Sequence, residues 1–311
     1  MVCRELGAYR EEWGVLIFFR SGIPLCNSDD SINLDKITEK TVCLTLDVEH
    51  DFGTLLNKPT FFGLNNIPVL VDLLKDKDIP LTCFIQGSLL DKYPDEISYF
   101  NNVDVEFEPH SYHHPHPNSM NFSIEIQKSK GAYKNFFARN PVGYRSPDGY
   151  INSPDYFEQL INSGFYYDSS VFPSFRPHRF NNLLSEIEPY YLNNKKIIEF
   201  PFSVVSKTIR IPISLSYIKL LGSPYFSLLK LKSLPRLIVF DFHLHDLTQL
   251  PSVNEIFSQN ILSFFEARIY KKIYHDKGDT GISLFIDTVR MFEKAGYKFA
   301  KLEDIYRALT A

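Results

Sequence analysis

The sequence is poor in cysteine, and the few cysteines it has are not arranged in pairs. Its 311 residues include four cysteines, and none of them forms the CxxC spacing of a structural zinc site or a redox centre. Cys43 and Cys83 lie inside apolar runs, where a cysteine behaves as a small buried hydrophobe. A disulfide framework is therefore not expected.

An excess of basic charge and a long hydrophobic run are missing as well. The formal net charge of −4 leaves no basic footprint of the kind that nucleic-acid binding requires, so no nucleic-acid partner is expected. The apolar run from Gly14 to Phe19 is too short for the hydrophobic core of a signal peptide or for a transmembrane helix. These features predict a cytoplasmic protein.

From residue 41 onward, apolar runs typical of strands alternate with segments of helix length. TVCLTLDV at 41–48 has the pattern of a buried strand and NIPVLVDLLKDKD at 66–78 that of a helix, and further strand patterns follow at 80–87 and 102–109. This alternation is typical of parallel strands with crossover helices, as in a barrel or a doubly wound sheet. No GxGxxG turn follows the first strand, which removes the main signal of a dinucleotide-binding sheet.

Polar clusters follow several of the predicted strands. They read DVEHD, HSYHH, RSPDG and HLHD along the chain. The active site of a barrel is built at the carboxyl ends of its strands, so this placement favours an α/β fold of the (β/α) barrel type. We assign the barrel to residues 41–311 and leave residues 1–40 as an unassigned N-terminal extension. An apolar and basic insertion at about 204–235 is expected to cover the barrel, or else to contact a membrane peripherally.

The cluster HSYHH contains the strongest candidate for a metal site. His110 and His114 are four residues apart, and on a helical turn this spacing would place both imidazoles on one face. The first strand ends with Asp47 and Glu49 at alternate positions, which share a face of a strand. Two imidazoles and one carboxylate would bind a divalent ion and leave coordination positions open, as a catalytic site needs.

Three further side chains could complete an active site around such an ion. The second carboxylate of the first strand could act as a general base, and Arg145 in GYRSPDGY could orient it through paired hydrogen bonds. His243 and His245, in the HLHD cluster with Asp246, are candidates for a general acid. Each of these side chains could instead have a purely structural role, as a salt bridge or a packed histidine.

Taken together, these motifs resemble those of the polysaccharide deacetylases with a NodB-homology domain. LTLDVEHDF resembles a D-V-E variant of the family's first motif, and His110 and His114 match its H-[ST]-x-x-H motif. R-x-P-x-G is matched by Arg145, Pro147 and Gly149, YDSSVF resembles the fourth motif, and DFHLHD resembles the last. The resemblance covers residues 41–246 and implies a distorted (β/α) barrel that removes an acyl group, usually N-acetyl, from an amino sugar.

The resemblance also implies roles for individual residues. The metal, with zinc expected, would be bound by Glu49, His110 and His114. Asp47 would be the base and one of two histidines the acid, with His243 favoured over His245 because Asp246 follows it at the matching distance. The substrate-binding positions implied by the third and fourth motifs are Pro147, Gly149, Asp168 and Phe172.

The first motif departs from the family's common form, which leaves its metal ligand open. Val48 stands where the common motif has its metal-binding aspartate, so the carboxylate ligand must be displaced. Glu49 is the predicted position, Asp51 is the alternative, and Asp47 could in principle turn inward instead. The expected substrate is a carbohydrate or sugar precursor, nucleotide- or lipid-linked if the protein is cytoplasmic. A hydrolase of small non-sugar amides and an inactive, metal-binding sugar module are the rival predictions.

Overall fold

The structure is a computed structural model that describes residues 30–116, 121–151, 155–176, 180–192, 195–258 and 264–311. Most of the predicted N-terminal extension, residues 1–29, therefore lies outside the described residues. Its last part is tied to the barrel, because Ile37 packs in a hydrophobic cluster with Cys43 and Leu302. The proposed boundary at residue 40 stays a prediction.

The described strands are short except for the first and the tenth. In chain order they are β1 (Thr41–Val48), β2 (Leu81–Ile85), β3 (Val105–Pro109), β4 (Gly143–Tyr144), β5 (Tyr167–Asp168), β6 (Phe175–Arg176), β7 (Phe180–Asn181), β8 (Tyr190–Leu192), β9 (Ile197–Glu199), β10 (Leu237–His243) and β11 (Lys298–Phe299).

The described helices are mostly short as well. They are α1 (Ile67–Lys75), α2 (Gly87–Lys92), α3 (Pro94–Ser98), α4 (Phe122–Phe137), α5 (Tyr156–Asn162), α6 (Leu215–Leu221), α7 (Ser223–Leu231), α8 (Val253–Ser258), α9 (Phe264–Tyr270), α10 (Gly281–Lys294) and α11 (Leu302–Thr310). In the described part of the chain, none is long and apolar enough to cross a membrane.

The first strand, β1, lies at the centre of a parallel sheet. It pairs with β10 on one side and with β2 on the other, and β3 extends the sheet beyond β2. All eight residues of β1 are buried. Strands of parallel sheets covered on both faces read as nearly continuous apolar runs, which is why TVCLTLDV shows little alternation. Helices such as α1 cover this sheet with an apolar stripe formed by Ile67, Leu70, Val71 and Leu74.

A second sheet completes a distorted barrel. It has the order β4-β5-β9-β8, in which β8 alone is antiparallel to its neighbour. One edge meets β3, where the Arg145 backbone N–H donates to the Pro109 carbonyl at 3.2 Å. On the other side, the Ser203 N–H donates to the Val239 carbonyl of β10 at 3.2 Å. The two sheets are thus joined at both sides, which gives the distorted (β/α) barrel that the sequence predicts.

The insertion at 204–235 is folded over the barrel as α6 and α7. Its apolar residues mostly point into the core, where Ile213, Leu215, Ile218, Tyr225 and Leu229 are buried. Leu231 is the main exception, with 85% of its surface exposed. This packing supports the prediction that the insertion covers the barrel. Membrane contact through this segment, like the cytoplasmic location, stays a prediction.

The barrel encloses carboxyl groups that have no positively charged partner at hydrogen-bond distance among the described residues. Glu106 and Glu108 on β3 are 1% and 0% exposed. Glu106 hydrogen-bonds with the Tyr167 hydroxyl and accepts the Thr82 hydroxyl at 2.8 Å. Burial raises the pKa of Glu106 from 4.5 to about 7. The folded protein therefore favours the neutral acid, since charge is costly in a buried site.

Replacing Glu106 with glutamine should flatten the pH dependence of stability. Because the folded-state pKa is raised, the stabilisation is complete below about pH 4.5 and is lost as the pH rises through about 7. The loss amounts to about 3 kcal/mol at most. Urea unfolding at pH 5 and pH 8 should show a smaller fall in unfolding free energy for Glu106→Gln than for the native protein. The exposed control Glu96→Gln should behave like the native protein, and the prediction is wrong if Glu106→Gln does too.

Candidate metal centre and active site

The polar clusters predicted after successive strands meet at one end of the barrel. Glu49 follows β1, His110 follows β3, Arg145 follows β4 and His243 ends β10. The register pairs Asp47 of β1 with His243 of β10, so these two side chains begin from adjacent positions. The carboxyl ends of the parallel strands therefore deliver acid, base and imidazole groups to one point, as in other barrels.

Glu49, His110 and His114 form a compact, buried group. Nε2 of His110 lies 3.2 Å from Glu49 Oε2, and Nε2 of His114 lies 2.5 Å from the same oxygen. One ligand atom from each residue lies within 4.8 Å of the other two. The structure thus brings the three predicted metal ligands together.

The loop that carries His114 is not the helical turn that the spacing suggested. Residues 111–116 are irregular, with a bend at Tyr112 and His113, and both Ser111 and His114 have left-handed backbones with φ of 57° and 55°. The Ser111 hydroxyl accepts the His114 N–H at 3.0 Å, and the Glu125 carboxylate accepts the N–H groups of Tyr112 and His113. These side-chain acceptors satisfy the backbone in a tight loop, and this loop, not a helical turn, brings the two imidazoles together.

The donor atoms of this group fit a divalent cation. Nδ1 of His110 lies 2.9 Å from the Arg145 carbonyl, so it carries the proton and leaves the Nε2 lone pair facing Glu49. A lone pair and a carboxylate oxygen at 3.2 Å repel each other unless a positive charge lies nearby. Burial alone would raise the pKa of Glu49, but His114 and His110 hold it well below its usual value. Two imidazole nitrogens and one carboxylate are a donor set that zinc favours.

The alternative carboxylate ligand Asp51 is engaged elsewhere, and Val48, at the position of the family's usual ligand, is a core residue. Asp51 accepts the N–H groups of Phe62 and Gly63, both at 2.8 Å, and the Thr60 hydroxyl at 2.7 Å. It therefore closes the loop after β1 instead of facing the histidines. Val48 is fully buried in the main core. Among the acids of DVEHD, Glu49 is the one that lies between the two histidines, with Asp47 beside it.

Asp47 is held by Arg145, whose guanidinium is buried in the barrel. Arg145 Nη1 donates to Asp47 Oδ1 at 2.7 Å and to Asp241 Oδ1 at 3.2 Å. Its ring-facing contacts with Phe84 and Phe202, at 4.0 and 4.3 Å, fix the plane of the guanidinium. Asp47 Oδ2 is left 3.8 Å from Nε2 of His110 and 3.7 Å from Nε2 of His243. One carboxylate oxygen is therefore anchored and the other faces the centre.

His243 and His245 differ in what their ring nitrogens contact. His243 Nδ1 lies 3.2 Å from Asp246 Oδ2, which leaves Nε2 facing Asp47 and Glu49. Burial alone would lower the pKa of His243, but Asp241, Asp246 and Glu49 hold it well above 6.5. His245 Nδ1 instead accepts the Phe52 N–H at 3.1 Å, and burial lowers its pKa to about 3. His243 is thus placed to be a proton donor, whereas His245 is an uncharged imidazole that accepts a backbone hydrogen bond.

The four substrate-binding positions implied by the resemblance do not lie together. A cavity of about 460 Å³ opens beside Glu49 and His243, and Phe172 lines it. Gly149 has a φ of 63°, and a Cβ there would come within 2.7 Å of Phe172, so glycine is needed beneath this ring. Pro147 is buried at the start of that turn. Asp168 is fully buried and accepts the Tyr156 and Ser170 hydroxyls, so the structure does not bring it to the cavity.

Sequence reasoning missed several residues of the site. Asp241 shares Arg145 with Asp47, and its pKa is raised to about 7 by burial and by the charge of Asp47. Its alternate spacing before His243 on one strand was the available signal. His50 packs edge-on against His114 and is fixed by Gln86, whose Oε1 lies 2.9 Å from its Nδ1. Nothing in the local sequence marks Gln86, because the contact joins residues of two strands.

The fold and this site define a barrel with a histidine–carboxylate centre, and comparison with known proteins shows which family it resembles. Residues 35–163 match the family model described as polysaccharide deacetylase, so the predicted family resemblance is confirmed. A peptidoglycan deacetylase of Helicobacter pylori (strain ATCC 700392 / 26695) is 27% identical over 140 residues, which are 44% of this chain and 44% of that protein. The chain thus aligns with less than half the length of this relative.

Solved structures share the fold over most of the chain. A Mycobacterium smegmatis protein described as a polysaccharide deacetylase has a TM-score of 0.54 at 17% identity, covering 88% of this chain and 91% of its own. A Pseudomonas aeruginosa PAO1 protein of the same description gives 0.54 at 13%, covering 86% and 90%. Puue allantoinase gives 0.55 at 14%, covering 86% and 89%. At these identities the likeness establishes the fold alone.

Proposed function

We propose that the protein is a metal-dependent amide hydrolase that removes an N-acetyl or N-formyl group from an amino sugar. The observation that carries the proposal is the convergence of three groups of side chains on one point. A carboxylate lies between two histidines, Asp47 is anchored by Arg145, and His243 is backed by Asp246. The family match over residues 35–163 supports carbohydrate deacetylation as the reaction.

Glu49, His110 and His114 would hold the divalent ion, and zinc fits their donor atoms best. When bound, such an ion supplies Lewis-acid polarisation of the amide carbonyl and makes a nearby water more acidic. His110 is kept in the tautomer that binds through Nε2 by the Arg145 carbonyl at 2.9 Å. Arg145 thus has two roles. Its carbonyl fixes the ring of His110, and its side chain anchors Asp47.

Asp47 is proposed as the general base. Its Oδ1 accepts a hydrogen bond from Arg145, which fixes the plane of the carboxylate. Its Oδ2 faces the point between His110 and His243, where an attacking water would lose its proton. A base positioned in this way contributes about 10²–10⁴-fold to rate.

His243 is proposed as the general acid that protonates the leaving amine. Asp246 accepts both the backbone N–H and the Nδ1 proton of His243, at 3.1 and 3.2 Å, and so fixes the ring. Asp246 is in turn held by the Ser216 hydroxyl, at 2.9 Å from its Oδ1. The Nε2 proton is then directed toward the cavity side of Asp47 and Glu49.

Acetate release should distinguish this proposal from its rivals. With zinc supplied, the full chain should release acetate from short N-acetylglucosamine oligomers, lose this activity with a chelator, and regain it when the ion is restored. Ammonia or formate release from small non-sugar amides, with no acetate from sugars, would favour the small-amide hydrolase. Metal-dependent sugar binding without any product would instead identify an inactive binding module.

A further inference from the structure

The cavity beside the proposed active site contains an arginine that the proposed chemistry does not use. Arg176 ends β6 and lines the same cavity as Glu49, Asp241 and His243. Its side chain is half-buried, and its guanidinium lies 6.0 Å from the centre of the Tyr270 ring. Arg176 is thus a charged residue of this cavity that has no role in the proposed reaction.

Most of the hydrogen-bonding capacity of Arg176 is open to a ligand. Within the described ranges, its only side-chain hydrogen bond is from Nη2 to the Tyr270 hydroxyl, and no carboxylate forms an ion pair with it. A guanidinium has five N–H donors in a planar fork that matches the oxygens of a carboxylate or a phosphate. A half-buried cation of this kind is stabilised when an anion enters the cavity.

Two acids also line the cavity, but neither neutralises this arginine directly. Asp148 accepts the Thr54 hydroxyl at 3.2 Å, and Glu266 lies on α9. Neither forms an ion pair with Arg176 within 4 Å in the part of the chain that is described. Although burial alone would lower the pKa of Arg176, Tyr270 and Asp148 raise it, so the side chain stays charged.

We propose that the cavity selects an amino sugar that carries an anionic group, a phosphate or a carboxylate, and that Arg176 with Tyr270 binds this group. The inference rests on the proposed deacetylase function and names its substrate class. Phe172, Phe175 and Tyr217 line the same cavity as Arg176, and charge pairing is stronger beside apolar surfaces than in bulk water. The amide would then lie at the Glu49 and His243 end, and the anion at the Arg176 end of the same cavity.

The test compares neutral and anionic sugars that carry the same N-acetyl group. N-acetylglucosamine is paired with N-acetylglucosamine 1-phosphate for the phosphate source and with N-acetylmuramate for the carboxylate source. Binding by calorimetry and acetate release are measured for the zinc-loaded native protein, for Arg176→Gln and for Arg268→Gln. Arg268 is the matched control. It lies on α9, the helix that also carries Tyr270, but it is exposed, contacts the ring of Phe264 and does not line the cavity.

The native protein should prefer one of the anionic sugars by about tenfold or more, as a charge-assisted pair provides. Arg176→Gln should reduce this preference to within about threefold, and Arg268→Gln should keep it. Thermal unfolding checks that both variants are folded. Equal binding of neutral and anionic sugars, or a preference that survives Arg176→Gln, would overturn the inference. An anion preference that depends on Arg176 but comes without acetate release would support the inference while refuting the deacetylase function.

Discussion

Replacement of His110 with alanine is expected to remove the bound metal and the activity together. The remaining donors, Glu49 and His114, would offer two ligands, which hold a divalent ion far less firmly than three. Affinity should fall by more than about 100-fold, because changes that only support a ligand already cost about 10–100-fold. Inductively coupled plasma mass spectrometry of the dialysed protein measures the metal content and so checks this prediction.

His113 is the matched control for the metal prediction. It lies in the same loop, but its ring is 51% exposed and pairs with Glu125 at 2.8 Å outside the centre. His113→Ala should keep the ion and most of the activity. Glu49→Gln should weaken binding and recover part of its activity with excess ion, since both histidines remain. A full equivalent of tightly bound ion in His110→Ala would show that the ligands lie elsewhere, for example around His243 and His245, which also converge on Glu49.

The parts of the fold that could be predicted are those set by local pattern. The first strand was bounded at 41–48, as the structure has it, because a buried central strand of a parallel sheet is apolar from end to end. The histidine pair and the carboxylate cluster were found because each follows a strand, and parallel strands end at the same side of the sheet. These inferences need only the periodicity of the chain and its topology.

What could not be predicted depends on contacts between distant residues. The sequence leaves Asp51 as an alternative to Glu49, and only the hydrogen bonds that Asp51 accepts from Phe62 and Gly63 show that it is engaged elsewhere. Asp168 stands in a motif, yet its carboxylate is enclosed by Tyr156 and Ser170. Arg176 belongs to no motif and is distinguished only by the cavity it lines.

The contacts of Arg145 with distant residues could not be predicted either, and they decide which variant of Arg145 is informative. Arg145 is fully buried and also holds Asp241, Thr45 and Ser169. Truncation to alanine would leave two buried carboxylates without their cation, a change that costs about 3–5 kcal/mol in comparable sites. Arg145→Lys is therefore the informative variant, because it keeps the charge and loses the fork that orients Asp47.

Asp47→Asn should separate the base from the metal ligands. Glu49, His110 and His114 are unchanged in this variant, so metal content should stay at the native level. Turnover should fall by about 10²–10⁴-fold, because an amide cannot take the proton of the attacking water. Arg145→Lys should show a smaller loss of the same kind, with kcat reduced and metal retained.

Asp241→Asn is the decisive comparison, because Asp241 shares Nη1 of Arg145 and also lines the cavity. Asp241 lies beside Asp47 on the neighbouring strand, and its raised pKa means that it is partly protonated near pH 7. Its replacement should lower turnover far less than Asp47→Asn, since it is anchored next to the centre without facing His110. If Asp241→Asn instead gives the larger loss and Asp47→Asn remains active, the two aspartates exchange roles. If Asp47→Asn loses the ion, Asp47 is a metal ligand, and the base must be sought at Glu49 or Asp241.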